Sequence, residues 1–327
     1  KHLEEYLNDT EQTNSLNLKS KIGRSNMKLS KSWLFFTIIH VIFMGVWGAT
    51  IEIPQQAGFP STLGYSVWAF TMIPVSLVGL KLINWKLDRD YRSILLGMIT
   101  GLTGSGGQLA LFQSLRSGPA YIVFPIISLT PVITIIMAFW LLKERTTIKG
   151  WIGIILAFLA LPLLSYQPPG DGATSGYLSL PLALIAFFGW GLQGYFMKFA
   201  NKTMKAESVF FYMMISGVLL VPIALSMTDY TQSINWGFRG FYLALMIQFL
   251  NSIGVLFLVF AFRYGKAIIV SPLTCVGAPF LTIVLSLMIY GVIPQLVLII
   301  GMVFAMAASY FMAVGTEETP DSIGSEE

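Results

Sequence analysis

The chain has 327 residues, of which 55% are hydrophobic and only 11% are charged. Soluble domains carry about 25% charged residues, because their surfaces have to be hydrated. This composition and a mean hydropathy of +0.72 exclude an ordinary soluble enzyme and a disordered protein. The net charge of +4 comes from basic residues scattered between apolar runs, which is typical of membrane loops and argues against nucleic-acid binding.

The chain begins with a polar segment, residues 1–32, that contains no apolar core. The first apolar run, 33–53, is too long for the core of a signal peptide and has no small-residue cleavage site. We therefore predict that residues 1–32 form a polar cytoplasmic tail. Met27 is the candidate native start, which would make residues 1–26 dispensable.

Ten apolar runs follow, each bounded by charges or by turn residues. They cover residues 33–53, 64–83, 93–115, 121–142, 149–166, 178–198, 208–228, 240–262, 267–290 and 295–314. Lipid offers no hydrogen-bond partner to the backbone, and the runs are too long for barrel strands, so all must be helices. The sequence predicts an all-α polytopic membrane protein with ten transmembrane helices.

The basic residues indicate how these helices are oriented. With the N-terminus in the cytoplasm, all but two of the 20 Lys and Arg residues lie on the inner side, and Arg116 and Arg239 lie outside. Cytoplasmic loops of membrane proteins carry an excess of Lys and Arg. We therefore expect both termini in the cytoplasm, the acidic end 315–327 forming the second tail.

One segment of the chain recurs 147 residues later. Arg116-Ser-Gly-Pro-Ala-Tyr-Ile-Val-Phe-Pro125 matches Arg263-Tyr-Gly-Lys-Ala-Ile-Ile-Val-Ser-Pro272 at six positions, including a Gly and a Pro. When the offset is increased by one residue, to 148, Thr134 matches Thr282. This offset corresponds to five spans, and because five is odd, the two copies cross the membrane in opposite directions.

The repeat divides the chain into two halves. We predict a first five-helix repeat at 33–166, an external linker at 167–176 and a second five-helix repeat at 177–314. Inverted repeats are typical of secondary transporters, whose binding site lies near the midplane between the halves.

Four sequence features together resemble the drug/metabolite transporter superfamily, specifically its ten-helix EamA-like branch. They are Gly45-Val-Trp47-Gly48, Ser117-Gly118-Pro119-Ala120, Pro125 to Pro131, and Leu141-Leu142-Lys143-Glu144-Arg145 followed by Gly150 and Gly153. The resemblance implies a transporter with a cavity framed by spans of both halves, the third, fourth, eighth and ninth being closest. Relatives carry diverse substrates, so it implies little about the cargo.

The chain departs from the family at the end of the fourth span. Lys143 stands where relatives usually have Gly, and the second copy, 291–295, lacks the Glu and Arg altogether. Glu144 has two interpretations: an interfacial ion pair or cap, and a gating latch.

Ionisable groups inside spans are costly and often functional. His40 is the only one in the middle of a span, and it is either a neutral imidazole bonded to another helix or a proton acceptor. Glu52 ends the same span, where it is either a solvated carboxylate or a group that binds a cation or proton. These two residues are the candidates for coupling transport to protons.

Uncharged polar and aromatic side chains are the candidates for binding substrate. Gln108 in the third span and Gln248 with Asn251 in the eighth occupy equivalent spans of the two halves. Trp190, Gln193 and Trp47 complete the candidate set. Helix packing is the alternative explanation for Gln108, because glycines share its helix face. Carboxamides and aromatic rings suit a neutral polar or zwitterionic solute.

Two matching prolines are candidate hinges. Pro125 and Pro272 each remove a backbone hydrogen bond and would bend the fourth and ninth spans, either to flex or simply to pack.

These observations predict a secondary transporter of a small organic solute that works by alternating access. A passive facilitator and a non-transporting receptor or scaffold are the alternatives. We expect no enzyme activity, cofactor or metal, because the spans lack clustered ionisable groups and no phosphate-binding loop occurs. The expected location is a bacterial cytoplasmic membrane.

Overall fold

The structure, a computed structural model, describes a large part of the chain as helices joined by short connections. The described residues are 32–117, 123, 126–127, 129–164, 166, 178–290 and 295–317. Their helices are α1 (Ser32–Gln56), α2 (Ser61–Leu82), α3 (Tyr91–Ser117), α4 (Pro131–Trp140), α5 (Ile148–Leu164), α6 (Ser179–Thr203), α7 (Ala206–Ser226), α8 (Phe238–Tyr264), α9 (Ala267–Tyr290) and α10 (Leu296–Glu317). The all-helical prediction is confirmed.

Length and hydropathy separate these helices into two groups. Eight of the described helices are long and apolar enough to cross a bilayer, whereas the described parts of α4 and α5 are shorter. Local interruptions have identifiable causes. Helix α7 breaks at Leu220, immediately before Val221-Pro222, because a proline cannot donate to the preceding turn.

The two halves exchange helices. The Thr282 Oγ1 of α9 donates to the Gly45 carbonyl of α1 at 3.2 Å, and the Thr134 Oγ1 of α4 donates to the Gly191 carbonyl of α6 at 2.9 Å. Each bond joins a helix of one half to a helix of the other. The two bonds are equivalent, because Thr134 and Thr282 occupy matching positions of the repeat.

Glycines bring these exchanged helices close together. A methyl group added at Gly48 would lie 2.4 Å from the Thr282 Oγ1, and one added at Gly194 would lie 2.6 Å from the Thr134 Oγ1. Both separations are far below van der Waals contact, so the two crossings require glycine. The three-residue steps from Gly45 to Gly48 and from Gly191 to Gly194 are therefore a second signature of the repeat.

The connections between helices gather at two opposite ends of the bundle. At one end, the Asp88 Oδ2 of the α2–α3 connection accepts the N–H of Lys205, between α6 and α7, at 2.8 Å. At the other end, the N–H of Asn235, between α7 and α8, donates to the Gly58 carbonyl between α1 and α2 at 3.1 Å. The first two connections are those that the charge pattern assigns to the cytoplasm, and the last two are those it assigns to the outside.

Lys143 adopts a backbone conformation that favours glycine. Its φ is +56°, in the left-handed region, just after the C-terminal end of α4. A left-handed residue with a Cβ costs about 1–2 kcal/mol, which glycine avoids. The structure thus gives a physical reason for the glycine that relatives usually have here.

We expect Lys143→Gly to raise the free energy of unfolding by about 1 kcal/mol, because it removes this backbone strain. Thermal denaturation of the detergent-solubilised protein measures the change. Lys81→Gly is the matched control: Lys81 is exposed in the last turn of α2, where glycine should destabilise by about 1 kcal/mol. A Lys143→Gly variant that melts below the wild type would contradict the explanation.

Candidate binding cavity

A cavity of about 420 Å³ lies between the two halves. Residues of α1, α2, α3, α6, α8 and α9 line it, together with Ile127 and Thr130 at the entry to α4. This volume falls within the range of about 300–1,000 Å³ that is typical of small-molecule sites. Helices α1, α2 and α3 of the first half and α6, α8 and α9 of the second half therefore all contribute to the cavity wall.

The structure brings seven of the sequence-predicted residues together around this cavity. They are His40, Trp47, Gln108, Trp190, Gln193, Gln248 and Asn251. These seven residues are up to 211 positions apart in the chain.

The other candidates lie elsewhere. Glu52 is exposed near the end of α1 and is not among the described residues of the cavity wall. Pro272 is buried inside α9, next to the cavity residue Ser271. Pro125 lies outside the described residues.

Gln248 is the centre of a small hydrogen-bond network. Its Oε1 accepts the indole N–H of Trp47 at 3.2 Å and an amide N–H of Asn251 at 3.5 Å. This arrangement ties α1 to α8 and orients both carboxamides. The side-chain oxygen of Asn251, Oδ1, has no protein donor among the described residues, so it is available to a solute that donates a hydrogen bond.

Two further carboxamides enter the cavity beside the glycines of α3. A methyl group at Gly104 would lie 2.0 Å from the Nε2 of Gln193, so only glycine leaves room for this side chain. Trp190 donates its indole N–H to the Gly104 carbonyl at 3.0 Å. Within the described part of the chain, neither Gln193 nor Gln108 has a side-chain hydrogen-bond partner. Their amides are therefore available to water or a solute.

The hydrogen bond between His40 and the Gly254 carbonyl defines the tautomer of the imidazole ring. Its Nδ1 lies 2.8 Å from the Gly254 carbonyl oxygen, and because a carbonyl can only accept, Nδ1 must carry the proton. In the neutral imidazole, Nε2 is then the acceptor. This geometry is consistent with both interpretations of His40. The ring is bonded to another helix, and its Nε2 can still accept a proton or a hydrogen bond.

Sequence reasoning missed the aromatic wall that α2 provides. Tyr65 and Trp68 line the cavity, with ring centroids 5.4 Å apart. The Tyr65 hydroxyl donates to the Gly217 carbonyl at 3.0 Å, whereas the buried indole N–H of Trp68 has no acceptor among the described residues. Their three-residue spacing places both on one helix face, a signal that could have identified them.

The described part of the wall is largely apolar, and its polar groups are uncharged. It includes no Asp, Glu, Lys or Arg, and His40 is its one imidazole. Among the described residues, no group of three or more His, Cys, Asp or Glu side chains is placed to hold a metal ion. The chemistry that the described wall offers is therefore hydrogen bonding, aromatic contact and shape.

Fold and cavity together define a class: a polytopic helical membrane protein built from two repeats around a central site. The EamA-like transporter family matches residues 31–166 and 177–314, once in each half. These matches cover most of the chain, and the protein belongs to that family. It is an integral membrane protein of a transporter family rather than of an enzyme family.

Individual relatives are distant. Protein LicB of Haemophilus influenzae is 26% identical over 136 residues, which make up 41% of this chain and 46% of that protein. An uncharacterized protein of Methanocaldococcus jannaschii is 32% identical over 103 residues, or 29% of this chain and 75% of that one. An uncharacterized transporter of Archaeoglobus fulgidus is 28% identical over 153 residues, 46% of this chain and 54% of that protein. The matched stretch thus spans about half the length of two of these relatives.

The fold is also similar to that of a solved protein. A crystal structure aligns with 87% of this chain and 99% of its own with a TM-score of 0.67, at 15% sequence identity. At this identity the likeness concerns the fold alone.

Proposed function

We propose that this protein is a secondary transporter that carries a small organic solute across the membrane by alternating access. The observation that carries the proposal is the cavity between the two halves, whose wall is built from both. A site shared by two inverted repeats can be exposed to either side when one half rocks against the other. A bacterial cytoplasmic membrane is the location we propose.

The proposed substrate is a neutral polar or zwitterionic molecule. The described wall has carboxamides on α3, α6 and α8 and aromatic rings on α1, α2 and α6, but no charged side chain to hold a polyanion. Carboxamides both donate and accept, so they pair with hydroxyl, amide, amine and carboxylate groups alike. Gln108, Gln193, Gln248 and Asn251 are the proposed polar contacts, with Trp47 and Trp190 as ring contacts.

The proposed hinges are the proline positions of the fourth and ninth spans. Pro272 and Pro279 both lie inside α9, and each removes one backbone hydrogen bond. Pro125 is the counterpart of Pro272 in the sequence repeat. The equivalent Thr282–Gly45 and Thr134–Gly191 bonds would keep α1 with α9 and α6 with α4 while these helices bend.

The test is a ligand screen followed by flux. Purified protein is screened by thermal shift against pools of metabolites, and each hit is assayed for uptake into proteoliposomes. A saturable uptake that Trp190→Ala weakens supports the proposal. A ligand that binds without being transported would favour the receptor alternative, and transport that never exceeds equilibrium would favour the passive facilitator.

We expect His40→Gln to abolish substrate accumulation driven by a pH gradient while leaving substrate exchange intact. Glutamine can keep a hydrogen bond to the Gly254 carbonyl, but it cannot take up a proton at the position of Nε2. The measurement compares proton-driven uptake with counterflow in proteoliposomes, and Glu52→Gln tests the second coupling candidate in parallel. Accumulation that survives in His40→Gln would leave the imidazole a packing role only.

A further inference from the structure

A buried ion pair joins the two halves at the inner end of the bundle. The Oε1 of Glu144, in the connection between α4 and α5, lies 3.9 Å from the Nζ of Lys198 in α6. The side chains are only 8% and 12% exposed. Glu144 belongs to the first half and Lys198 to the second, so the pair bridges them.

Each partner also binds the junction between α8 and α9. The Oε2 of Glu144 accepts the N–H of Ile268 in the first turn of α9 at 3.1 Å, and Lys198 donates to the Gly265 carbonyl at 2.5 Å. Burial raises the pKa of the Glu144 carboxyl, while the Lys198 ammonium and the Ile268 N–H oppose that rise. Three segments are thus held together through one carboxylate.

This contact adjoins the cavity wall on the side of the inner connections. Lys198 follows the cavity residue Met197, and Ile268 precedes the cavity residue Ser271 by three positions, about one helical turn. The pair therefore joins α6 and α9 close to where both line the cavity.

In sequence, the equivalent positions of the repeat at the opposite end do not hold an acid and a base. The alignment that matches Gly45 with Gly191 makes Glu52 the equivalent of Lys198. The alignment that matches Thr134 with Thr282 makes Val292 the equivalent of Glu144. In sequence, an acid thus replaces the base and an apolar residue replaces the acid. At these equivalent positions, the sequence therefore provides an ion pair only at the inner end.

We propose that Glu144 and Lys198 form the inner gate, a latch whose opening admits the cytoplasm to the cavity. The inference rests on the proposed alternating access and names the contact that has to break in its inward-facing step. Removing either charge should shift the protein toward the inward-open arrangement, because the remaining partner loses the interaction that offsets its burial.

The chain supplies its own reporter of gate opening. Cys275, the single cysteine of the sequence, lies in the cavity wall on α9. A membrane-impermeant maleimide added to inside-out vesicles reaches it only through the inner end. Right-side-out vesicles report the outer end in the same way, and no substrate has to be known.

We expect Glu144→Gln and Lys198→Met each to label at least tenfold faster than wild type from the inner face, and no faster from the outer face. The double variant should label no faster than the single variants, because it leaves neither buried charge without its partner. The matched control is Glu207→Gln, a carboxyl in the first turn of α7 that is not part of the pair, and its labelling rate should stay within twofold of wild type. Glu144→Asp keeps the charge but has a shorter reach, so it should give an intermediate rate.

Inner-face rates within twofold of wild type in the folded variants would overturn the latch. So would equal acceleration from both faces, which indicates general loosening, or a double variant whose effect is the product of the two single effects. If the Gln and Met variants do not fold, Glu144→Asp decides alone by the same criterion. If the labelling experiment contradicts the latch, the uptake assay still tests whether the protein is a transporter. If no uptake is found, the labelling rates still show whether the ion pair closes the inner end.

Discussion

Gly153→Ala is expected to lower the free energy of unfolding by about 1–3 kcal/mol, the range of an overpacked core. Helices α5 and α10 cross at this residue, and an added methyl group would lie 2.8 Å from the Met312 backbone nitrogen and 2.9 Å from the Ala308 carbonyl oxygen. Backbone atoms cannot rotate away as a side chain can. The helices must therefore separate, and the close packing that small residues allow in membranes is lost.

The same substitution at Gly106 is the matched control for this prediction. An added methyl group at Gly106, on α3, meets no atom within 4 Å. Gly106→Ala should therefore leave the free energy of unfolding unchanged or raise it by up to about 1 kcal/mol, because alanine has the higher helix propensity. Thermal or detergent denaturation of both purified variants compares them, and equal losses at the two positions would contradict the packing explanation.

Gln108→Leu and Asn251→Leu should each weaken solute binding by about 1–2 kcal/mol, which is about five- to thirty-fold in Kd. Both carboxamides line the cavity, and each has at least one polar atom without a protein partner among the described residues. Leucine has a similar size, so neither substitution opens a cavity, and yield and folding should stay near normal. Ligand titration of the purified variants, with a hit from the screen, measures the change.

A third glutamine on the same helix separates binding from general effects. Gln113 lies on α3 and is half-buried, but it is not among the described residues of the cavity wall. Gln113→Leu should leave the affinity unchanged, even if it alters stability. Like Gln108→Leu and Asn251→Leu, Trp190→Ala should weaken binding, because the Trp190 ring forms part of the wall. Unchanged affinity in Gln108→Leu, Asn251→Leu and Trp190→Ala together would show that these three side chains do not bind the solute, and would move the proposed contacts to the part of the cavity near Trp47 and His40.

The sequence predicted the candidate residues unevenly, for a physical reason. A carboxamide in an apolar run is conspicuous because burying it unpaired is costly, so Gln108, Gln248 and Asn251 could be identified without a structure. An aromatic ring in an apolar run is not conspicuous, since rings also pack against lipid and neighbouring helices. Tyr65 and Trp68 were missed for that reason. The charge of Glu52 drew attention to a residue that lies away from the described cavity wall.

For Glu144, the sequence indicated the position of the residue, but not the partner of its carboxylate. Its position at the end of a span was evident in sequence, and both an ion pair and a latch were consistent with it. Arg145 and Lys143 were the nearest bases in the chain, yet the structure pairs Glu144 with Lys198, 54 residues away. Only the folded chain shows which distant base comes within reach.

The sequence by itself determined the membrane class, the all-helical fold, the family and the repeat. These are properties of composition and of segments about 20 residues long, because a bilayer imposes hydropathy and helix on each span separately. The tertiary structure decided which helices are neighbours: that α1 packs on α9, that α6 packs on α4, and that one cavity joins residues from both halves. Such contacts depend on glycines meeting threonines more than 50 residues apart, as at Gly194 and Thr134, and in lipid the apolar surface of a helix does not specify its partner.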